Sequence, residues 1–444
     1  MLVAPRALAL AALLASAAVA APAAADPRGS SAAGSPARAA RAEVTLFGFG
    51  GSDGAYPSGA LIADGSGALY GTTAGGGRAS SGCGFYATCG TAFRLTPGAS
   101  GYTETVLHAF RGGSDGNVPI GGLVADKSGV LFGATRFGGS TACGQQLGCG
   151  TVFELRPNGR GYAHRVLYRF GGGTDGFLPS GGMIVDASGA LYGMTTWGGV
   201  SGYGTAFKLT PSGSGYAESV VYSFTLDNGD GGMPQAALVA DAHGVLYGTT
   251  SGGGNGWGSE CLAEGGCGTA FTLTPSGSGY TEAVIHSFHD ANDLSDGIFP
   301  SAGLAWGPGG TLVGTTAVGG SGAAAGTVYT LTPVGSGSYA ESVAYSFQGG
   351  TDGSDPNASV IVGARGVVFG STAYGGGASG GSGYGVVFAL TPRGSTYGER
   401  LVYRFAGGQL GAEPNAVLRA HGTLYGTTAN GGPSGAGMVF KLGP

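Results

Sequence analysis

Six aspartates, each followed at once by glycine, recur along the chain: Asp53, Asp115, Asp175, Asp230, Asp296 and Asp352. Carboxylate oxygens suit a hard cation, so these residues could hold calcium. Asp-Gly also makes turns unaided, because the Asp side chain accepts from nearby backbone N–H groups. One Asp per repeating unit favours the turn, since an ion needs several carboxylates converging on it. The six therefore stand as weak metal candidates, and no other cofactor is expected. A second set is aromatic. Phe137, Trp197 and Tyr374 each stand six residues after the Leu or Val that opens a recurring segment, and Trp257, Phe85 and Tyr86 lie along longer loops. Rings on a rigid face offer contact area at little entropic cost, which suits flat apolar ligands or sugar rings. Arg78 and Arg136 could add hydrogen bonds to an anionic group. The competing reading is that these rings pack over their own loops.

Cysteine forms a third set, in three equal spacings: Cys83 and Cys89, Cys143 and Cys149, Cys261 and Cys267. Six cysteines allow 15 connectivities. Equivalent placement in three repeats selects local pairing, and the spacing lacks the neighbouring His that zinc would need. Each bridge would pin a short loop in an oxidising compartment. Catalytic constellations are weak. His108, His164, His243, His286, His289 and His421 form no His-Glu-x-x-His pattern. No nucleophile elbow, a Gly-x-Ser-x-Gly turn leading from strand into helix, accompanies them. His108 and His286 fall in the slot filled by Tyr168 and Tyr222, which reads as structural. Gly75-Gly76-Gly77 leads into no helix, so it does not cradle phosphate.

These residues hang on a repeat. A closing Phe recurs at Phe49, Phe110, Phe170, Phe224, Phe288, Phe347 and Phe405, in steps of 61, 60, 54, 64, 59 and 58 residues. Each unit carries four strand candidates. Strand A is a short apolar run after a Pro, such as Leu123-Val124-Ala125; being apolar on both faces, it reads as an inner strand. Strand B is the Leu-Tyr-Gly-Thr-Thr segment, Leu69 to Thr73 in the first unit, whose Gly admits a bulky neighbour. Strand C alternates, as in Phe153, Glu154 and Leu155, with period 2. Strand D alternates through Tyr102, Glu104, Val106, His108 and Phe110. Its Glu slot recurs at Glu218, Glu282, Glu341 and Glu399, and a charge there would block pairing at an exposed outer edge.

Glu43 to Phe49 fits strand D with no A, B or C before it, whereas the C-terminal unit carries A, B and C and then stops. One blade is thus split between the two ends. The prediction is an all-β, seven-bladed β-propeller of four-stranded antiparallel blades over residues 43–444, its last blade closed by the N-terminal strand.

Residues 1–25 read as a cleaved signal peptide, with Arg6, the apolar run Ala7 to Ala20 and small-residue cleavage positions. Residues 26–42 read as a disordered lead-in. The expected location is secreted or periplasmic, with no membrane span. Net charge is −5 and no basic patch stands out, which excludes phosphate-driven nucleic-acid binding. A monomer is expected.

The ordered words Leu-Tyr-Gly-Thr-Thr, Gly-Thr-Val-Phe-x-Leu-x-Pro and Phe-x-Gly-Gly-x-Asp-Gly resemble the GloVer tandem repeat of exported bacterial "choice-of-anchor" proteins, across residues 43–444. The resemblance implies export and a propeller-like repeat, and no reaction or ligand. No C-terminal anchor is recognisable here. Three readings follow: an exported, non-enzymatic propeller binding a glycan or protein on the face of its D–A and B–C loops; a carbohydrate-active hydrolase or lyase using loop carboxylates such as Asp230 or Glu260; and a structural surface or matrix component. The first is preferred, because the loops are where the repeats differ.

Overall fold

Short apolar runs punctuated by glycine fold as predicted into strands A to D. The computed structural model describes residues 43–443 apart from 160, 257–260, 262–264, 278, 290–294, 378–382 and 395. The signal and lead-in, Trp257 and Glu260 lie outside the described residues, as do the side chains of Phe85 and Tyr86. Seven antiparallel sheets, each ordered A–B–C–D, make a seven-bladed β-propeller. Blade 1 is Ala55–Ala63, Leu69–Gly75, Thr91–Gly98 and Gly101–Ala109. Blade 7 takes its A, B and C strands from residues 412–442, and its D strand is Glu43–Gly48. Glu43 lies opposite Leu442 and Gly48 opposite Met438, so the ring is closed across the two ends of the repeat.

The repeated words explain themselves in contacts. The Gly of strand B sits beneath the aromatic ring of strand C: a Cβ on Gly71 would strike Phe93 and Leu61, and one on Gly133 would strike Phe153. The Thr that ends the B segment meets the Thr that opens strand C. Hydroxyl oxygens of Thr73 and Thr91 lie 2.9 Å apart, and those of Thr135 and Thr151 lie 2.7 Å apart, all buried. Buried hydroxyls paired in this way leave no orphan donor in the sheet.

Neighbouring blades meet through the closing Phe. Phe110 of blade 1 packs edge-on against Phe153 of blade 2 at 5.0 Å. An equivalent pair recurs at every seam, from Phe49–Phe93 to Phe405–Phe440, with Tyr329 taking the second place at one of them. T-shaped pairs add about 0.5–1.5 kcal/mol each beyond burial. In blades 1 to 3 strand A is longer than the apolar run alone suggests. It begins ahead of the Pro and breaks register, in blade 1 between Ser58 and Ile62, whereas in blades 4 to 6 it is only two residues long. At the break in blade 2 Gly121 presses its backbone against Gly181, a contact any side chain would prevent.

The residue before that Pro has a left-handed backbone in all seven blades: Tyr56, Val118, Leu178, Met233, Phe299, Asp355 and Glu413, with φ between 54° and 57°. Proline normally pushes its predecessor into extended backbone. Here a bond across the seam holds it, as the N–H of Val118 donates to Cys89 O at 3.0 Å and that of Leu178 to Cys149 O at 2.8 Å.

Candidate functional site

Two surfaces can carry chemistry: the seams between blades and the face of D–A and B–C loops. All six Asp of the Asp-Gly turns sit where a seam meets that face. Five cap their own turn through backbone N–H groups. Gly50 N–H donates to Asp53 (2.8 Å), Arg111 N–H to Asp115 (2.9 Å) and Gly171 N–H to Asp175 (2.5 Å). Thr225 N–H donates to Asp230 (2.7 Å) and Gln348 N–H to Asp352 (2.7 Å). The second oxygen of Asp175 takes the hydroxyl of Tyr168 from strand D (2.8 Å), and Tyr345 does the same for Asp352 (3.0 Å). Asp296 instead receives two histidine rings.

The Glu slot of strand D differs from its expected place. Its side chain lies in the seam and not on the free outer edge, because the alternation that carries Tyr102, Glu104 and Val106 turns that whole row toward the neighbouring blade, while Thr103 and Thr105 face solvent. Burial, and then the charge of the Asp beside each, pushes Glu104, Glu218, Glu282 and Glu399 up to about 7. The same causes push Glu341 up to about 8. One oxygen of each of these five carboxyls is buried without a hydrogen-bond partner. At the seam of blades 6 and 7 the Asp is replaced by Leu410, and Tyr403 donates directly to Glu43 at 2.6 Å.

Two seams bear histidine where four others bear tyrosine and the closing one bears Phe47. Between blades 1 and 2, His108 and His164 both face Asp115, at 3.1 and 3.3 Å, and their rings stack 3.8 Å apart at 8°. Burial, and then the adjacent His108, lowers His164 to about 4. Between blades 4 and 5, His286 Nε2 and His289 Nδ1 converge on one oxygen of Asp296, at 3.1 and 2.9 Å. Glu341 of blade 5 completes the group, and the ligand atoms of His286, Asp296 and Glu341 all lie within 4.8 Å of one another. A cleft of about 680 Å3 opens on these residues. Sequence reasoning missed the group. Its signal was the His-x-x-His spacing of His286 and His289, in a slot where most sister repeats have Tyr.

On the loop face the predicted aromatics stand in separate blades. Phe137 and Trp197 end strand B of blades 2 and 3 and are half-buried, whereas Tyr374 in blade 6 is 40% exposed. Arg78 and Arg136 are exposed. Tyr56 and Tyr384, not singled out from the sequence, are 52% and 50% exposed. All three cysteine pairs form the disulfides expected, each across a separation of six residues. Those of blades 1 and 2 lie beside a cleft of about 410 Å3 between their B–C loops, lined by Ser81, Thr141, Gln146 and Leu147 among others. Among the described residues no helix is long and apolar enough to cross a membrane.

A family profile described as the Gloeobacter/Verrucomicrobia repeat matches residues 84–262 and again 256–444. No curated protein matches the chain. Among solved structures, a candidate 6-phosphogluconolactonase from Bacteroides uniformis is 11% identical over 78% of this chain and 83% of its own, with a TM-score of 0.46. A protein of unknown function from Dyadobacter fermentans is 12% identical over 90% of this chain and 96% of its own, with a TM-score of 0.42. PorZ of Porphyromonas gingivalis, a surface component of the type-IX secretion system, is 11% identical over 86% of this chain and 46% of its own, with a TM-score of 0.48.

Proposed function

The chain belongs to the Gloeobacter/Verrucomicrobia repeat family, and on that premise we propose that it is an exported, non-catalytic propeller that binds a glycan on its face of D–A and B–C loops. The supporting observation is where apolar surface is left uncovered. Eight large hydrophobic side chains are exposed among the described residues. Six of them, Tyr56, Val200, Val318, Tyr374, Tyr384 and Leu410, fall at the strand ends or loops of that one face. Exposed apolar groups gathered on one face mark a contact surface, whereas single scattered ones need no explanation.

Four of the six lie on the consecutive blades 6, 7 and 1. The Tyr384 ring covers Gly407 in the loop that carries Leu410. Tyr384 O also accepts from Glu413 N–H at 3.0 Å, and Tyr56 N–H donates to Ala436 O at 2.8 Å. The Tyr374 ring, near the acidic side chains of Glu413 and Asp355, suits a sugar, which presents a flat apolar face and a rim of hydroxyls. Three disulfides agree with an oxidising compartment, and five of the six framework Asp residues are occupied with their own turns, which leaves the variable loops for recognition. The test is a glycan array on the purified chain, repeated with Tyr56→Ala, Tyr374→Ala and Tyr384→Ala combined. Binding that the triple variant loses at least about tenfold supports the proposal. No glycan retained, or retention unchanged in the variant, overturns it.

A further inference from the structure

We propose that the seam between blades 4 and 5 is a binding site for one divalent transition-metal ion, zinc before others, held by His286, His289, Asp296 and Glu341. Three ligands come from the end of strand D in blade 4 and the loop that follows it, and the fourth comes from strand D of blade 5. A bound ion would therefore join the two blades.

The ligand atoms of His286, Asp296 and Glu341 lie within 4.8 Å of one another, and His289 Nδ1 reaches the same Asp296 from the side of the loop. Zinc lies about 2.0–2.2 Å from nitrogen and oxygen ligands, which sets tetrahedral ligand-to-ligand edges of about 3.3–3.5 Å. His286 Nε2 and His289 Nδ1 stand 3.1 and 2.9 Å from Asp296 Oδ2, only slightly inside that edge. The two rings are 6.4 Å apart and inclined at 64°, and a nitrogen of each meets the same Asp296 oxygen. Glu341 keeps one buried oxygen without a hydrogen-bond partner. The cleft of about 680 Å3 gives an ion a way in.

The donor set selects the metal. Two imidazoles with two carboxylates favour zinc and its first-row neighbours, whereas calcium and magnesium prefer oxygen alone. Two carboxylates also balance a dication. The other histidine seam shows that proximity is not enough. His108 and His164 touch the same aspartate, but their planes are parallel at 3.8 Å. That seam also sets a single carboxylate against its two imidazoles, so it balances a dication less well than the seam of blades 4 and 5.

Calorimetric titration of the full chain, without an oligohistidine tag, should show one zinc per chain. His289→Ala and Glu341→Gln should each weaken it at least about tenfold. His286→Tyr installs the residue that sister blades carry as Tyr168, Tyr222 and Tyr345, so it should keep the fold and lose the ion. His164→Ala, in the stacked pair, should leave affinity unchanged. Cobalt(II) should give the visible absorption of a tetrahedral site, removed by Glu341→Gln. The proposal is overturned by an unmutated chain that takes up neither ion saturably, by uptake that His286→Tyr and His289→Ala leave intact, or by calcium binding more tightly than zinc.

Discussion

The seam of blades 1 and 2 and the seam of blades 4 and 5 start from the same parts. Each puts histidine in the Tyr slot of strand D, His108 or His286, and an Asp in the following turn, Asp115 or Asp296. They part at two slots and in the length of the turn, since Asp115 follows Phe110 by five positions and Asp296 follows Phe288 by eight. After the closing Phe one has Arg111 and the other His289; in the Glu slot of the next blade one has His164 and the other Glu341. The first seam ends in two stacked imidazoles over one carboxylate. The second ends in two converging imidazoles and two carboxylates. The ring supplies the positions, and two slots together with the turn between them select the chemistry.

Both seams depend on a closed ring that holds them in register. Deleting Glu43 to Phe49 disturbs that ring most severely. Phe49 is fully buried, and loss of such a ring alone costs about 3–5 kcal/mol. The deletion should lower the melting temperature markedly, and both histidine seams should lose their properties with it. A variant that melted with the full chain would show that the N-terminal strand does not close the ring. The next test rewrites one seam as the other. Arg111→His with His164→Glu should add a second zinc to the calorimetric stoichiometry. A count still at one would mean that these two slots alone do not decide the chemistry.

The seams should also answer pH with opposite signs. Glu341 is held at about 8 in the fold, above its unfolded value, so its contribution is full below about pH 4.5 and is lost as pH rises through 8. His164 is held at about 4, below its unfolded value, so its contribution is full above about pH 6.5 and is lost as pH falls through 4. Each tenfold change in proton affinity is worth about 1.4 kcal/mol, and solvent screening reduces that for half-exposed groups. Thermal melts in chelator should therefore show Glu341→Gln flattening the alkaline side and His164→Gln the acid side. Equal flattening on one side by both would remove the distinction. The smallest effect belongs to an ordinary seam. Tyr168→Phe removes the bond to Asp175 and should cost about 1 kcal/mol, a denaturation shift that sets the baseline for the other two seams.

The blades are legible in the sequence because each one repeats its own local rules. Gly71 under Phe93 and Thr73 beside Thr91 are contacts within one unit, so the words that encode them recur intact. Contacts between units are harder to read. Period 2 shows that Glu104 and Tyr102 share a face, but not which face meets a neighbour, so the pattern alone does not distinguish a seam from an outer edge. The His286 group draws on two repeats, and Glu341 lies 55 positions beyond His286. The left-handed turn ahead of each Pro is invisible for the same reason, since local sterics argue against it and a bond to the preceding blade enforces it. On the loop face, neither Tyr56 nor Tyr384 occupies the slot that marks Tyr374, so the repeat pattern gives no sign of their exposure.

Closure has a consequence in time as well as in space. The strand Glu43–Gly48 is made first and pairs with Met438–Leu442, made last. Contacts so distant along the chain form slowly, although the added entropy of a longer loop is modest. Until residue 438 exists, the first strand has no partner, and blade 7 has only its A and B strands. A chain stopped short keeps both surfaces open and prone to association. The ring is thus closed only when Met438–Leu442 reaches Glu43–Gly48, whatever has folded before.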